Sequence, residues 1–219
     1  VGLAGVANFV FDPKVTYDPD EDRWIVVFLA GASPASTDII VGFSQTDDPS
    51  GTYNLYALDG NPFNNGNWTD FPQIGLSTEE LFITGNLFDN NSQNNGSAIW
   101  QVNKTDGYAG NALTFVTYET DQFFSLNPVE GGGELYGPNF YFLRVFPGGG
   151  GIGDEVHLHE ITNSIANNGT LNAPNHSSGL HSNRSPKRDW PLRPATTGSI
   201  PATTAVGAQH RSEERIENS

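Results

Sequence analysis

The chain has 219 residues, with 25 acidic and 10 basic side chains, no cysteine and no methionine. The absence of cysteine excludes disulfides, thiolate zinc sites and cysteine nucleophiles. The formal charge of −15 disfavours nucleic acid or an anionic membrane surface as a partner. No apolar run is long enough to span a bilayer, so we expect no membrane insertion. Because the first residue is Val1 rather than Met, we expect a processed product or a piece of a longer protein.

An internal repeat of about 58 residues organises the chain as far as residue 175. Three nine-residue stretches, 38–46, 97–105 and 154–162, align without gaps, and their closing threonines lie 59 and 57 positions apart. Turn residues bound each stretch, and its composition is typical of a strand. Short apolar segments before and after them also repeat, at 23–31, 80–88 and 139–147 and at 51–59 and 111–119. Pro13, Pro72 and Pro128 recur ahead of these, where we expect proline to precede the first strand of each unit.

The repeating unit is therefore four strands, and no segment shows a helical period. Antiparallel four-stranded units at a fixed period predict an all-β, β-propeller-like array, with blades at about 10–60, 70–120 and 127–175. A β-sandwich of about eleven strands is the alternative fold. Closed propellers have about 4 to 8 blades, so we expect either a longer propeller or self-association that closes the array.

The last part of the chain, 176–219, differs from the rest in charge and composition. It carries a net charge of +2, against −17 for residues 1–175, and Trp190 is its only aromatic residue. It shows neither strand nor helix periodicity and has little apolar surface to offset the entropy of ordering. We expect a disordered or non-native tail.

A hairpin between the third and fourth predicted strands of the first unit carries a family resemblance. The stretch Ser44-Gln-Thr-Asp-Asp-Pro-Ser-Gly-Thr-Tyr53 resembles the Asp-box of sialidase-like secreted bacterial propellers. The stretch 103–110 resembles the same motif more weakly. The stretch 12–18 followed by Arg23 and Trp24 is similar to the start of blades in exported bacterial propellers. The resemblance implies an extracellular or cell-surface protein in which the Asp-box is a structural turn. Sialidases clamp their substrate with three arginines, whereas the predicted blades hold only Arg23 and Arg144, so we do not expect that activity.

His157 and His159 are the first candidate ligand-binding residues. Alternation along a strand places both imidazoles on one face about 7 Å apart, a spacing found in metal sites. The aligned positions in the other units are apolar: Val41 and Phe43 in the first, Trp100 and Val102 in the second. Two interpretations stay open, a metal or ligand site and a pair of partly buried, hydrogen-bonded imidazoles.

Asp18, Asp20 and Asp22 are the candidate metal ligands, because carboxylates at alternate positions in a turn are typical of calcium loops. The loop is not an EF-hand, since Arg23 occupies the sixth position and Leu29 the twelfth. Calcium is therefore the one cofactor that we expect, and an ordinary Asp-rich hairpin is the alternative.

Aromatic residues are candidates for stacking on sugars: Trp24, Trp68, Trp100, Tyr53 and Tyr56. We expect most of them in the core and Trp68, in the loop 61–70, to be the exposed one. The leading hypothesis is an extracellular binding or scaffold module with a polysaccharide or other glycan as partner. The alternative is a propeller-type hydrolase, a glycoside hydrolase above all, whose paired carboxylates must come from different blades.

Overall fold

The computed structural model describes residues 6, 8–120, 125–130, 134–146, 155–172, 177–179, 196–200 and 203–205. The described chain is all-β, and its strands form three antiparallel sheets in chain order. The prediction of an all-β chain built from four-stranded antiparallel units is confirmed. Within the described residues, no helix is long and apolar enough to cross a membrane.

The first two sheets are complete four-stranded meanders in which each strand pairs with the next. Sheet I comprises β1 (Val10–Asp18), β2 (Arg23–Ser33), β3 (Ser36–Ser44) and β4 (Tyr53–Asp59). Sheet II comprises β5 (Trp68–Leu76), β6 (Glu80–Phe88), β7 (Asn94–Asn103) and β8 (Leu113–Thr120). A short helix, α1 (Lys104–Ala109), joins β7 to β8.

Sheet III repeats the order with shorter outer strands. It comprises β9 (Asn127–Pro128), β10 (Phe140–Phe146), β11 (Glu155–Thr162) and β12 (Thr170–Asn172). A 3-10 turn (Ile165–Asn167) lies between β11 and β12, at the place that α1 takes in sheet II.

Three further strands come from the region predicted as a tail. They are β13 (Ser177–Gly179), which pairs with β11, β14 (Thr196–Ile200), which pairs with β8, and β15 (Thr203–Ala205), which pairs with β4. The other residues of that region lie outside the described ones, so disorder there stays a prediction.

Two apolar clusters hold the sheets face to face. The first joins sheet I to sheet II, with Val27, Val41 and Tyr56 packed with Ile83 and Trp100. The second joins the opposite side of sheet II to sheet III, where Phe82 stacks on Phe140 with ring centroids 4.1 Å apart. Strand β6 is thus buried on both sides, as is expected for a strand between two sheets.

The structure corrects the predicted position of the repeated prolines. Pro13 and Pro72 lie inside β1 and β5, where the pairing register shifts between Phe11 and Lys14 and between Asp70 and Gln73. The residue before each proline, Asp12 or Phe71, has a positive φ of 49° or 53°. A bulge on an edge strand frees proline from donating a ladder hydrogen bond, so the strand continues through it.

The structure also corrects the predicted alignment of the third strands. Val41 and Phe43 face sheet II, whereas their aligned partners Trp100 and Val102 face back towards sheet I. Since side chains alternate along a strand, a shift of one residue reverses the face. Val41 and Trp100 are therefore not at equivalent positions of the two sheets.

Helix α1 is a further element that the sequence prediction missed. The Asn103 side chain accepts a hydrogen bond from the Asp106 amide, and Gly110 ends the helix in a left-handed conformation. Capping by asparagine and glycine is the local signal for such a helix. Six residues are too few to show a helical period. The sequence therefore predicts the segment only as a second, weaker resemblance to the Asp-box turn.

Candidate functional site

A row of aromatic side chains crosses one end of sheet I, on the face turned away from sheet II. Tyr17 of β1 pairs with Trp24 of β2, and Ser44 of β3 pairs with Tyr53 of β4. The Trp24 amide donates to the Ser44 hydroxyl at 2.8 Å, so the four residues lie side by side across the sheet. The rings of Tyr17 and Trp24 touch, with centroids 5.2 Å apart. We call Tyr17, Trp24 and Tyr53 the aromatic row.

The polar tip of each ring in the row is held by the protein. The Tyr17 hydroxyl donates to the Asp22 carboxylate at 2.5 Å, and the Trp24 indole N–H donates to the Asp47 carbonyl at 2.9 Å. The Tyr53 hydroxyl donates to the Pro49 carbonyl at 2.9 Å. The hydrogen bond to Asp22 raises the pKa of Tyr17. Because these contacts fix the tips, the rings are preorganised for contact through their faces.

The row is open to solvent and has an acidic rim. Tyr17 is 43% exposed, and Trp24 and Tyr53 are half-buried. Exposed carboxylates of the β1–β2 turn and the β3–β4 loop lie beside it, with Asp22 and Asp47 near Tyr17 and Asp48 near Tyr53. The site thus combines apolar ring faces with hydrogen-bond acceptors.

The β3–β4 loop keeps its shape through the Asp48 side chain. Asp48 Oδ1 accepts hydrogen bonds from the amide and the hydroxyl of Ser50 at 2.8 and 2.7 Å. These bonds lower the pKa of Asp48. A carboxylate that caps a turn amide is ordinary Asx-turn chemistry, and here it positions the two carbonyls that hold Trp24 and Tyr53.

The predicted calcium residues separate into different roles. Asp18 is fully buried, and its Oδ2 lies 2.8 Å from Lys104 Nζ, which is 2% exposed. The same oxygen accepts a hydrogen bond from the Tyr108 hydroxyl at 2.9 Å. Asp22 holds Tyr17, and Asp20 is exposed. Among the described residues, no group of three or more acidic or histidine side chains could hold a metal ion, and calcium binding stays a prediction.

Lys104 and Tyr108 belong to α1, so this buried contact joins sheet II to sheet I. Arg23 of sheet I lies over the Tyr108 ring at 5.6 Å, and Asn54 Nδ2 donates to the Gly107 carbonyl at 3.0 Å. A β carbon at Gly107 would lie 2.4 Å from the Phe43 ring. We call Asp18, Lys104 and Tyr108 the inter-sheet latch.

Sheets II and III are joined in a similar way. Glu80 is buried at the start of β6, where its Oε1 accepts a hydrogen bond from the Ile165 amide at 2.6 Å and its Oε2 accepts one from Gln101. Gln101 Nε2 also donates to the Asn163 carbonyl at 3.2 Å. Burial raises the pKa of Glu80. In both junctions, the segment between the third and fourth strands of one sheet reaches a buried carboxylate of the preceding sheet.

His157 and His159 lie on the side of sheet III that faces sheet II. His157 pairs with Arg144 and His159 pairs with Phe142, so Arg144 shares this face with both imidazoles. His159 is 1% exposed. Burial, followed by the charges of Arg144 and His157, lowers the pKa of His159 to about 3. His159 is therefore neutral at pH 7, and the neighbouring side chain is a cation rather than the carboxylate that a metal site would favour.

Trp68 is the first residue of β5 rather than a loop residue, and it is half-buried. Its ring packs on Phe88 with centroids 5.6 Å apart, and its indole N–H donates to the Asp89 carbonyl at 3.2 Å. Trp100 and Tyr56 are core residues, as expected from the sequence. Trp24 is likewise half-buried, and the Tyr17 ring lies beside it.

Comparison with protein-family models, curated proteins and solved structures finds no match for this chain.

Proposed function

We propose that the three sheets are consecutive blades of a β-propeller-type array and that the chain is an extracellular binding or scaffold module for glycans. Two features support the propeller arrangement. The first strands of successive sheets contact one another, β1 with β5 and β5 with β9. The connection before each fourth strand also reaches the preceding sheet, through α1 and through the 3-10 turn.

The aromatic row is the observation that carries the binding function. Sugar rings present C–H faces, which stack on aromatic rings, and hydroxyl groups, which hydrogen-bond at the rim. The end rings of the row, Tyr17 and Tyr53, lie three strand spacings apart, which is about 14 Å. A ligand that contacts the whole row must therefore be longer than one sugar ring, so we expect an oligosaccharide.

A glycan array probed with the purified chain tests this function. We expect binding to a subset of oligosaccharides and, on those glycans, a loss of affinity of roughly tenfold in Tyr17→Ala, the variant that removes the most exposed ring. Phe9→Ala is the matched control, because Phe9 is also an exposed aromatic residue at 63% but lies outside the row. No binding to any glycan, or equal losses in both variants, would contradict the proposal.

A glycoside hydrolase is the second candidate function, and one pair of carboxylates favours it. Asp38 and Asp59 are directly opposite each other on β3 and β4, so this pair comes from one sheet rather than from different blades as the sequence predicts. Partial burial, followed by the charge of Asp59, raises the pKa of Asp38. A carboxyl group with a raised pKa beside a second carboxylate is the arrangement on which acid and base roles in glycosidases are built.

The two functions differ in turnover. Incubation of the bound glycans with the chain, followed by chromatography of the sugars, should show no cleavage if the chain is a binding module. The hydrolase would be established instead if the chain cleaves the glycans, if Asp38→Asn abolishes this cleavage and if the control Asp70→Asn retains it.

A further inference from the structure

The charge and hydrogen-bonding character of the aromatic row restrict the kind of glycan that it accepts. The three rim carboxylates, Asp22, Asp47 and Asp48, are exposed on two connections of sheet I, 19–22 and 45–52. Carboxylates accept hydrogen bonds and do not donate them when ionised. Backbone carbonyls hold two of the ring tips, which adds further acceptors to the rim.

The basic residue closest in sequence to the row is directed away from it. Arg23 precedes Trp24, but its guanidinium lies over the Tyr108 ring at 5.6 Å and donates to the Ser44 carbonyl at 3.4 Å. Lys104 is committed to Asp18 in the inter-sheet latch. Among the described residues, neither of these cations offsets the rim carboxylates, so the described part of the chain gives the row a negative potential, in keeping with the net charge of −15.

We propose that the row binds glycans that carry free amines, that is, oligomers of amino sugars without N-acetyl groups; this inference rests on the proposed glycan-binding function. An ammonium group supplies donors and positive charge to the acceptor-rich rim. A cation over a tyrosine or tryptophan face is attracted to the ring as well. Glycans that bear carboxylates or sulfates would meet like charge at every rim position and are excluded.

The test compares four probes by isothermal titration calorimetry on the full chain. They are a hexamer of β-1,4-linked glucosamine, the same hexamer fully N-acetylated, a hexamer of a uronic acid, and spermine as a polyamine without sugar rings. At pH 5.5, where the amines of the glucosamine hexamer are protonated, we expect the free-amine hexamer to bind at least tenfold tighter than the acetylated hexamer. Raising the salt from 20 to 300 mM should remove most of that difference, because exposed charges are screened.

Substitutions distinguish the contribution of the aromatic ring faces to the affinity from the contribution of the rim charges. Asp47→Asn should weaken the free-amine hexamer by about two- to fivefold, and should leave the acetylated hexamer unaffected. Glu130→Gln, at an exposed acid of sheet III, is the control and should change neither. Tyr17→Ala should weaken both hexamers.

The outcomes distinguish this inference from the proposed function. Equal binding of the two hexamers, or preference for the uronic acid hexamer, overturns the inference but leaves glycan binding in place. Spermine binding as tightly as the free-amine hexamer also overturns it, because charge alone would then account for the affinity. Failure of every sugar to bind overturns both.

Discussion

Replacing Lys104 by methionine tests the inter-sheet latch. The substitution keeps the length of the side chain and removes the ammonium that lies 2.8 Å from Asp18. Both side chains are at least 98% buried, so the Asp18 carboxylate would stay in the interior without its counter-ion. Removing one partner of a buried ion pair costs about 3–5 kcal/mol. Because the Tyr108 hydroxyl still donates to Asp18, we expect the lower end, about 3 kcal/mol, and a melting temperature lower by roughly 6–12 °C.

A double-mutant cycle makes this prediction specific. Lys104→Met, Asp18→Asn and the double variant are unfolded in urea and followed by tryptophan fluorescence. The free energy of unfolding of the double variant should fall by at least about 1 kcal/mol less than the sum of the decreases in the two single variants. The reason is that the double variant contains neither of the two buried charges. Lys14→Met, at a partly exposed lysine of β1, is the control and should stay within about 0.5 kcal/mol of wild type. If Lys104→Met is as stable as this control, the latch does not hold the sheets together.

Three further predictions concern the same framework. Gly107→Ala should destabilise by about 1–3 kcal/mol in urea unfolding, because its β carbon would meet the Phe43 ring at 2.4 Å; unchanged stability would mean that α1 is not pressed against sheet I. Asn103→Ala should cost about 0.5–2 kcal/mol through the lost cap of α1, whereas the nearby Asn111→Ala, which removes no cap, should cost less. His159 has a folded pKa of about 3, lowered from 6.5 mainly by burial, so the unfolded chain takes up its proton first and stability falls as the pH drops from 6.5 towards 3. Between pH 7 and 4.5 this amounts to about 3 kcal/mol, and His159→Phe should lack that part of the pH dependence; equal pH slopes in the two proteins would refute the assignment.

The sequence repeat predicted the strands because each strand is short, apolar and bounded by turn residues. Nearly every predicted segment overlaps a strand of the structure, from β1 at 10–18 to β11 at 155–162. The strand faces do not follow from the repeat, since a shift of one residue in the alignment reverses every face. That shift made Val41 the counterpart of Trp100, although the two face different neighbours. Only the pairing between strands determines the face.

The site was harder to predict than the fold. Trp24 and Tyr53 were candidates from the sequence, but Tyr17 was not, and nothing local shows that its ring lies 5.2 Å from Trp24. Asp18 was predicted as a metal ligand because its neighbours in sequence are acidic, whereas its partner, Lys104, is 86 residues away. Contacts across such a separation depend on how whole sheets stack, which a single sequence does not reveal.

The most direct test of glycan binding by the aromatic row is NMR of the tryptophan indole N–H groups. The chain has four tryptophans, and Trp24→Phe and Trp100→Phe assign the two signals that matter. On addition of the free-amine hexamer we predict that the Trp24 signal shifts progressively, while the signal of Trp100, which is fully buried, stays in place. A Trp24 signal that does not move at saturating hexamer would contradict the account.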